Sequence, residues 1–329
     1  MDKLTVVSLR DIEHWPSWHL VYEWEDEIVK AIPNARIYKR KEIYIAGKRL
    51  FENIRRRLGI DVSGFSLSKT PCFYYDMSPS RKNEALNKPY NNVCIIDYCN
   101  RNHLDELYKS YSNVGHLFIS SREAYDFLVE SKFGLPVEHL PLTLPDKYAI
   151  TPETKIDKEY DLIIQGRQSP VLLDYLDKYE KTHNVNICRR GKVEGNNFPY
   201  YDGSGKFVGM GNTREEYINL LRKSRVAFYS TSGIDGDPKK DSNNGFHQVT
   251  PRFLEEIACG CNVISRYVDN SDTDWFELGK MSTRVNSYEE FEAAMDKAIA
   301  TPPDMAVYAK YLEKHYTSVI AKRLAEIII

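Results

Sequence analysis

Short apolar runs set off by polar residues recur along the chain. The first, residues 5–9 (TVVSL), is rich in β-branched residues and predicts a buried strand. A helix is expected from about 18 to 32. Strands are expected at 72–75, 93–97 (VCIID) and 115–119 (GHLFI), with a helix at 102–109. Ser120 and Glu123 form an S-x-x-E capping box that opens the next helix, and 136–140 reads as a further strand. Residues 142–158 (LTLPDKYAITPETKIDK) are mostly polar, carry proline and show no sustained period, so they read as a linker. The alternation then restarts. A strand at 160–165 runs into a Gly166-Arg167 turn and a helix near 170–182. Strands follow at 185–188, 226–229 and 262–264, with helices at 213–224 and 251–259 between them. Ser287 and Glu290 cap another helix, and a last one is expected over about 303–326.

Strands alternating with helices of this length indicate βαβ units and parallel sheets. Two such series imply an α/β fold of two Rossmann-like domains facing across a cleft. The expected bounds are 1–145 for the first domain, 146–158 for the linker, 159–302 for the second domain and 303–329 for a C-terminal helix packing back on the first. Ligands of open α/β sheets sit beyond the carboxyl ends of the strands.

Composition narrows the classes. The 329 residues hold 45 Lys and Arg against 47 Asp and Glu, a net charge of -2, which speaks against a whole-protein nucleic-acid clamp. No apolar run approaches the roughly 20 residues of a spanning helix, and the N-terminus lacks the apolar core of a signal peptide. The six cysteines form no C-x-x-C pair, so reduced buried thiols and a cytoplasmic location are expected. No G-x-G-x-x-G opens either series, which disfavours a dinucleotide oxidoreductase.

The most informative stretch is 243–265, NNGFHQVTPRFLEEIACGCNVIS. A polar loop leads through Gln248, Val249 and Thr250 into a helix whose first turn carries Arg252. A cation there opposes the helix dipole, and a bound anion would account for it. Glu255 follows at i, i+3, placed to accept from a ribose diol; a surface Arg252–Glu255 ion pair is the alternative. TPRFLEEIACGCNVIS resembles the nucleotide-sugar-binding segment of GT-B glycosyltransferases of the bacterial group 1 kind. Glu255 falls on the family's second Glu, Ala258 on its second Ala and Gly260 on its Gly, while Val263-Ile264 matches and Asn262 replaces a Pro. The family's first Glu falls on His247, which leaves the stereochemical course open. The resemblance covers roughly 160–300. It implies a GT-B arrangement, with Glu255 on the ribose and with Gly166 and Arg167 at the donor diphosphate.

The resemblance further implies transfer of a sugar from a nucleoside-diphosphate sugar to a sugar hydroxyl. The acceptor would be an oligosaccharide or lipid-linked, in bacterial surface polysaccharide or glycolipid synthesis. A nucleotide-sugar epimerase and a non-catalytic binding or scaffold protein remain as alternatives. Asp235-Gly236-Asp237 has the form of a metal-binding DxD but reads as an Asp-Gly turn, so no metal or other cofactor is expected. Base candidates are His14, flanked by Trp15 and Trp18 as a sugar platform, and Asp97 at a strand end, with Glu13 and Asp76 behind them. His247 is the third catalytic candidate. Residues 36–57 hold nine basic residues against two acids, an amphipathic stretch suited to peripheral contact with an anionic membrane face. No nucleic-acid reader motif accompanies it.

Overall fold

The computed structural model describes residues 3–40, 57, 70–77, 79, 87–98, 101–195, 197–236 and 244–329. Most of the basic stretch 36–57, together with Cys99 and Asp237, lies outside them. Two compact units divide the chain: Met1–Pro141 with Thr317–Ile329, and Leu142–Tyr316.

The first unit is built on a six-stranded parallel sheet. Its strands are β1 (Leu4–Ser8), β2 (Ala35–Lys39), β3 (Cys72–Asp76), β4 (Asn91–Ile95), β5 (His116–Ile119) and β6 (Val137–His139), in the order β2-β1-β3-β4-β5-β6. β1 and β4 are buried along their whole length, as parallel strands covered on both faces must be. Helix α1 (Pro16–Ala31) starts on a proline, whose missing N–H costs nothing in a first turn. Helices α2 (Leu104–Tyr111) and α3 (Arg122–Glu130) follow, and the Ser121 hydroxyl caps α3 by accepting from the Ala124 amide. The cap is therefore Ser121, one residue after the expected Ser120, whose hydroxyl donates to the Ile96 carbonyl.

The second unit carries a seven-stranded sheet. It contains β7 (Tyr160–Ile164), β8 (Ile187–Arg190), β9 (Pro199–Tyr201), β10 (Phe207–Met210), β11 (Ser224–Ser230), β12 (Asn262–Arg266) and β13 (Thr283–Arg284), in the order β10-β9-β8-β7-β11-β12-β13. The strands from β8 across to β13 run parallel, while β9 and β10 form an antiparallel edge. Helices α4 (Pro170–Tyr179), α5 (Arg214–Arg222), α6 (Arg252–Ala258), α7 (Ser271–Trp275), α8 (Leu278–Met281) and α9 (Tyr288–Ala300) connect them. Thr213 and Glu216 close the expected capping box on α5.

Two expectations need correction. Residues 142–158 are not a free linker, because Leu142, Leu144, Tyr148 and Ile150 are buried in the second unit. The final helix is also not continuous. It breaks between α10 (Met305–Leu312) and α11 (Thr317–Ile328), where the His315 carbonyl accepts from the Leu144 amide and Leu144 bridges to Tyr316. The two pieces belong to different units. Helix α10 stays in the second, while α11 packs on α1 and puts Ala321, Leu324 and Ile328 into the core of the first with Leu4, Val6 and Phe73.

Candidate functional site

A cavity of about 140 Å³ opens where β7 and β11 end, lined by Arg167, Gln168, Ser169, Ser230, Ser232, Ile234, Thr250 and Arg252. Adjacent parallel strands whose connections leave in different directions create such a crevice at their carboxyl ends. Three of the residues singled out in the sequence, Arg167, Thr250 and Arg252, come together in its wall.

The cavity is organised around Arg252. Its Nη1 donates to the Arg167 carbonyl at 2.8 Å and reaches the Gln165 carbonyl at 3.4 Å. Its Nε lies 3.3 Å from Glu256 Oε1, one turn along α6, and its guanidinium stands 5.3 Å over the Tyr229 ring. Arg252 thus ties the loop after β7 to α6. Its acidic partner is Glu256, not Glu255. Burial pushes the Glu256 carboxyl up to about 8, with Glu255 adding to the rise and Arg252 opposing it, so it keeps its proton at neutral pH. Gly166 makes the close approach of the loop feasible. It sits at φ +61°, and a Cβ there would meet Arg252 Nη1 at 3.3 Å. Replacing it, as Gly166→Ala, should cost about 1–2 kcal/mol in urea denaturation, since alanine is strained at positive φ and crowds the guanidinium.

Glu255 is placed differently from the ribose-binding role carried over by resemblance. Its carboxylate is 3% exposed, with Oε1 2.5 Å from Arg214 Nη2, and it is absent from the lining of this cavity. The pairing fastens α6 to α5. The expected surface pair between Arg252 and Glu255 is replaced by two buried ones. The amides ahead of α6 are also committed within the protein: Val249 donates to Asp272 Oδ2 at 2.7 Å and Thr250 to the Tyr229 hydroxyl at 2.8 Å. Gln248 is buried beside them. His247 turns Nδ1 to the Ser232 carbonyl at 3.0 Å and is not among the residues that line the cavity.

Sequence reasoning missed the serines. Ser169 caps α4 by accepting from the Val171 and Leu172 amides and donates to Asp235 Oδ2 at 2.5 Å. The Ser169-Pro170 pair, a cap followed by proline, was the available signal. Asp235 also takes both Nε and Nη2 of Arg266, at 2.5 and 2.7 Å. Burial alone would raise this carboxyl, but the bonds from Arg266 and Ser169 hold it below its ordinary value. Asp235 is therefore a bracket between the loop and β12. Among the described residues no group of three or more His, Cys, Asp or Glu side chains could hold a metal.

In the first unit, His14 is exposed on the loop after β1, and Asp97 lies just past β4. The tryptophans do not form one platform: Trp15 is 65% exposed, whereas Trp18 is buried and stacks on Tyr22. The Asp76 carboxylate accepts from the buried Tyr111 hydroxyl at 2.5 Å. Glu25, not singled out in the sequence, is buried on α1. It takes Arg10 Nη2 at 3.0 Å, and burial raises it to about 7.

This pairing of two α/β units, each with a largely parallel sheet, is the two-domain Rossmann-like GT-B fold. The structure is similar to AviGT4, a glycosyltransferase involved in avilamycin A biosynthesis, with a TM-score of 0.56 and 12% identity over all of this chain and 97% of that one. UDP-GlcNAc 2-epimerase from Methanocaldococcus jannaschii matches at TM-score 0.48 and 10% identity, over 99% of this chain and 98% of that one. The GtfA/B complex matches at TM-score 0.46 and 10% identity over 85% of this chain, which spans only 60% of that one. No family model and no curated protein matches the sequence. At 12% identity the AviGT4 likeness shows the fold alone. No described helix is long and apolar enough to cross a membrane.

Proposed function

We propose that this protein is a glycosyltransferase that moves a sugar from a nucleoside-diphosphate donor to a sugar hydroxyl. The observation that supports it is the cavity beyond β7 and β11. Two guanidinium-bearing residues, Arg167 and Arg252, meet there with three serines and a threonine. Gln168, which lines it, has a buried Oε1 with no partner. Buried polar groups are normally satisfied, so this atom suits a polar ligand. Arginine binds a diphosphate through paired N–H groups.

In this reading Arg167 and Arg252 take the diphosphate, and their charge matches the negative charge that grows on the leaving group as the sugar departs. The guanidinium groups do this without a metal. The Ser230 hydroxyl in the cavity lining supplies a further donor. If the reaction inverts, the acceptor's proton needs a base, and His14 and Asp97 are the candidates. The acceptor class, oligosaccharide or lipid-linked, and a cytoplasmic setting belong to the same proposal.

The test is a thermal-shift panel of UDP, GDP, ADP, dTDP and CMP, with and without EDTA, on wild type and Arg167→Ala. A ligand at 100 times its dissociation constant adds about 2.7 kcal/mol of stability. One nucleotide should raise the melting temperature irrespective of EDTA. Because Arg167 is exposed, its loss should spare the fold yet weaken that nucleotide about ten-fold, or roughly 1.4 kcal/mol. Product analysis with the matching sugar nucleotide then separates transfer from epimerisation. Absence of any nucleotide response would overturn the reading.

A further inference from the structure

A second cavity, about 240 Å³, lies at the opposite ends of the same strands, beside the starts of β7, β11 and β12. Its walls are apolar through Ile156, Ile299, Pro302, Pro303 and Met305. Lys155, Lys158 and Arg225 also line it, and no acidic residue does. Lys158 is the informative group. Its ammonium donates to the Ser224 and Cys259 carbonyls, both at 2.7 Å. An ammonium carries three donors, and these two carbonyls leave one over. No carboxylate of the described residues pairs with it, whereas its neighbours are matched: Lys223 with Glu159 at 3.0 Å and Arg225 with Asp161 at 3.7 Å. A half-buried cation without a counter-charge is costly to keep.

Arg222 adds an independent observation. It projects from the last turn of α5, close enough to Lys158 for the two charges to repel, and its Nε is buried with no acceptor. It lines an adjoining hollow that shares residues 154–156 with the cavity. Gly260 shapes the floor at φ +64°, where a Cβ would stand 3.2 Å from Ile156 Cδ1, 3.5 Å from Met305 Sδ and 3.7 Å from Lys158 Nζ. Unmatched positive charge at an apolar cavity calls for a ligand with one anionic end and one apolar end.

We propose that this edge of the second unit is a binding site for a small organic anion with an apolar tail. Its carboxylate or phosphate head meets Lys158, and its tail lies among Ile156, Ile299 and Met305. The site is separate from the one that takes the nucleotide, so it stands whether or not the protein transfers a sugar.

Isothermal titration calorimetry on the full chain tests it, with octanoate and octyl phosphate as probes below their micelle concentrations. Octan-1-ol serves as the uncharged control and acetate as the tail-less one. At least one charged probe should bind one-to-one, about ten-fold or more tighter than octan-1-ol and acetate. Which of the two binds better identifies the head group. Lys158→Met should weaken it at least about ten-fold. Since that variant also loses two bonds to backbone carbonyls, Ile299→Trp provides a second test, filling the cavity and abolishing binding. Neither probe binding, octan-1-ol binding equally well, or unchanged binding in Ile299→Trp would overturn the proposal. So would competition by the nucleotide that binds the first cavity.

Discussion

In the proposed transfer reaction, replacing Arg252 by methionine should lower kcat/KM by about 10²–10³, the loss typical when one charged donor aimed at a developing anion is removed. The structure explains why the effect should exceed that of Arg167. Arg252 is 16% exposed and fixed by two carbonyls and an aromatic face, so its charge needs no reorganisation, whereas Arg167 is exposed. The variant should also lose stability. Breaking a buried ion pair usually costs about 3–5 kcal/mol, because a bare charge is left behind. Here Glu256 retains its proton at pH 7, so the bare-charge share is small. What remains is the two bonds from a charged donor to carbonyls, about 3–6 kcal/mol in all. Without Arg252 the Glu256 carboxyl would hold its proton more tightly still. The stability difference between wild type and Arg252→Met should therefore widen above about pH 8, where the wild-type pair becomes fully charged. A difference that stays flat from pH 7 to 10, measured by urea denaturation, would remove Glu256 as the partner of Arg252.

The alternation of apolar runs and helices was enough to place both parallel sheets, because strands buried on two faces announce themselves as unbroken apolar stretches. Within the strands, β4, β5, β7 and β11 each carry a short run of this kind (VCI, LFI, LII and VAFY), and β1 carries VV. What escaped lies at the edges. β2 (ARIYK) is half exposed, and its cations merge with the basic stretch that follows. The β9–β10 pair (PYY and FVGM) is a three- and four-residue antiparallel addition, too short for a period to show. The break between α10 and α11 was hidden because apolar periodicity carries straight through it. At the break the chain pairs instead with Leu144, whose amide donates to the His315 carbonyl.

The site was legible in part, for a related reason. A motif gives positions along a helix, and helical spacing does not say which of two adjacent acids faces which neighbour. Glu255 and Glu256 are one residue apart, so they point about 100° apart around α6. That rotation sends Glu255 to Arg214, 41 residues earlier in the sequence, and leaves Glu256 for Arg252. The free amides expected before α6 were lost to Asp272 and Tyr229, partners that no local pattern could announce.

Stability should hold roughly level between about pH 4.5 and 6.5, then fall as the pH climbs through 7 to 8. Four buried groups produce this shape. Glu25 is raised to about 7 and Glu256 to about 8, chiefly by burial. An acid raised in the folded state binds a proton that the unfolded chain releases near pH 4.3, so its contribution is whole below that value and disappears as pH rises through 7 and 8. His139 and His315 are lowered to about 4, again mainly by burial, with Arg122 and Lys314 assisting. Their contribution is whole above pH 6.5 and disappears as pH falls toward 4. Between 4.5 and 6.5 the two acids gain stability with falling pH while the two histidines lose it, and the slopes oppose. Above 6.5 the histidines are silent and only the acids act, at no more than about 1.4 kcal/mol per pH unit for each. The melting temperature should accordingly decline from pH 6.5 to 8.5, and Glu256→Gln should flatten the upper part of that decline while Glu25→Gln flattens the lower. A melting temperature that climbs steadily from pH 5.5 to 8 would show that the two carboxyls are ionised throughout, and with them the assignment of Glu256 as a proton-bearing partner to Arg252 would fall.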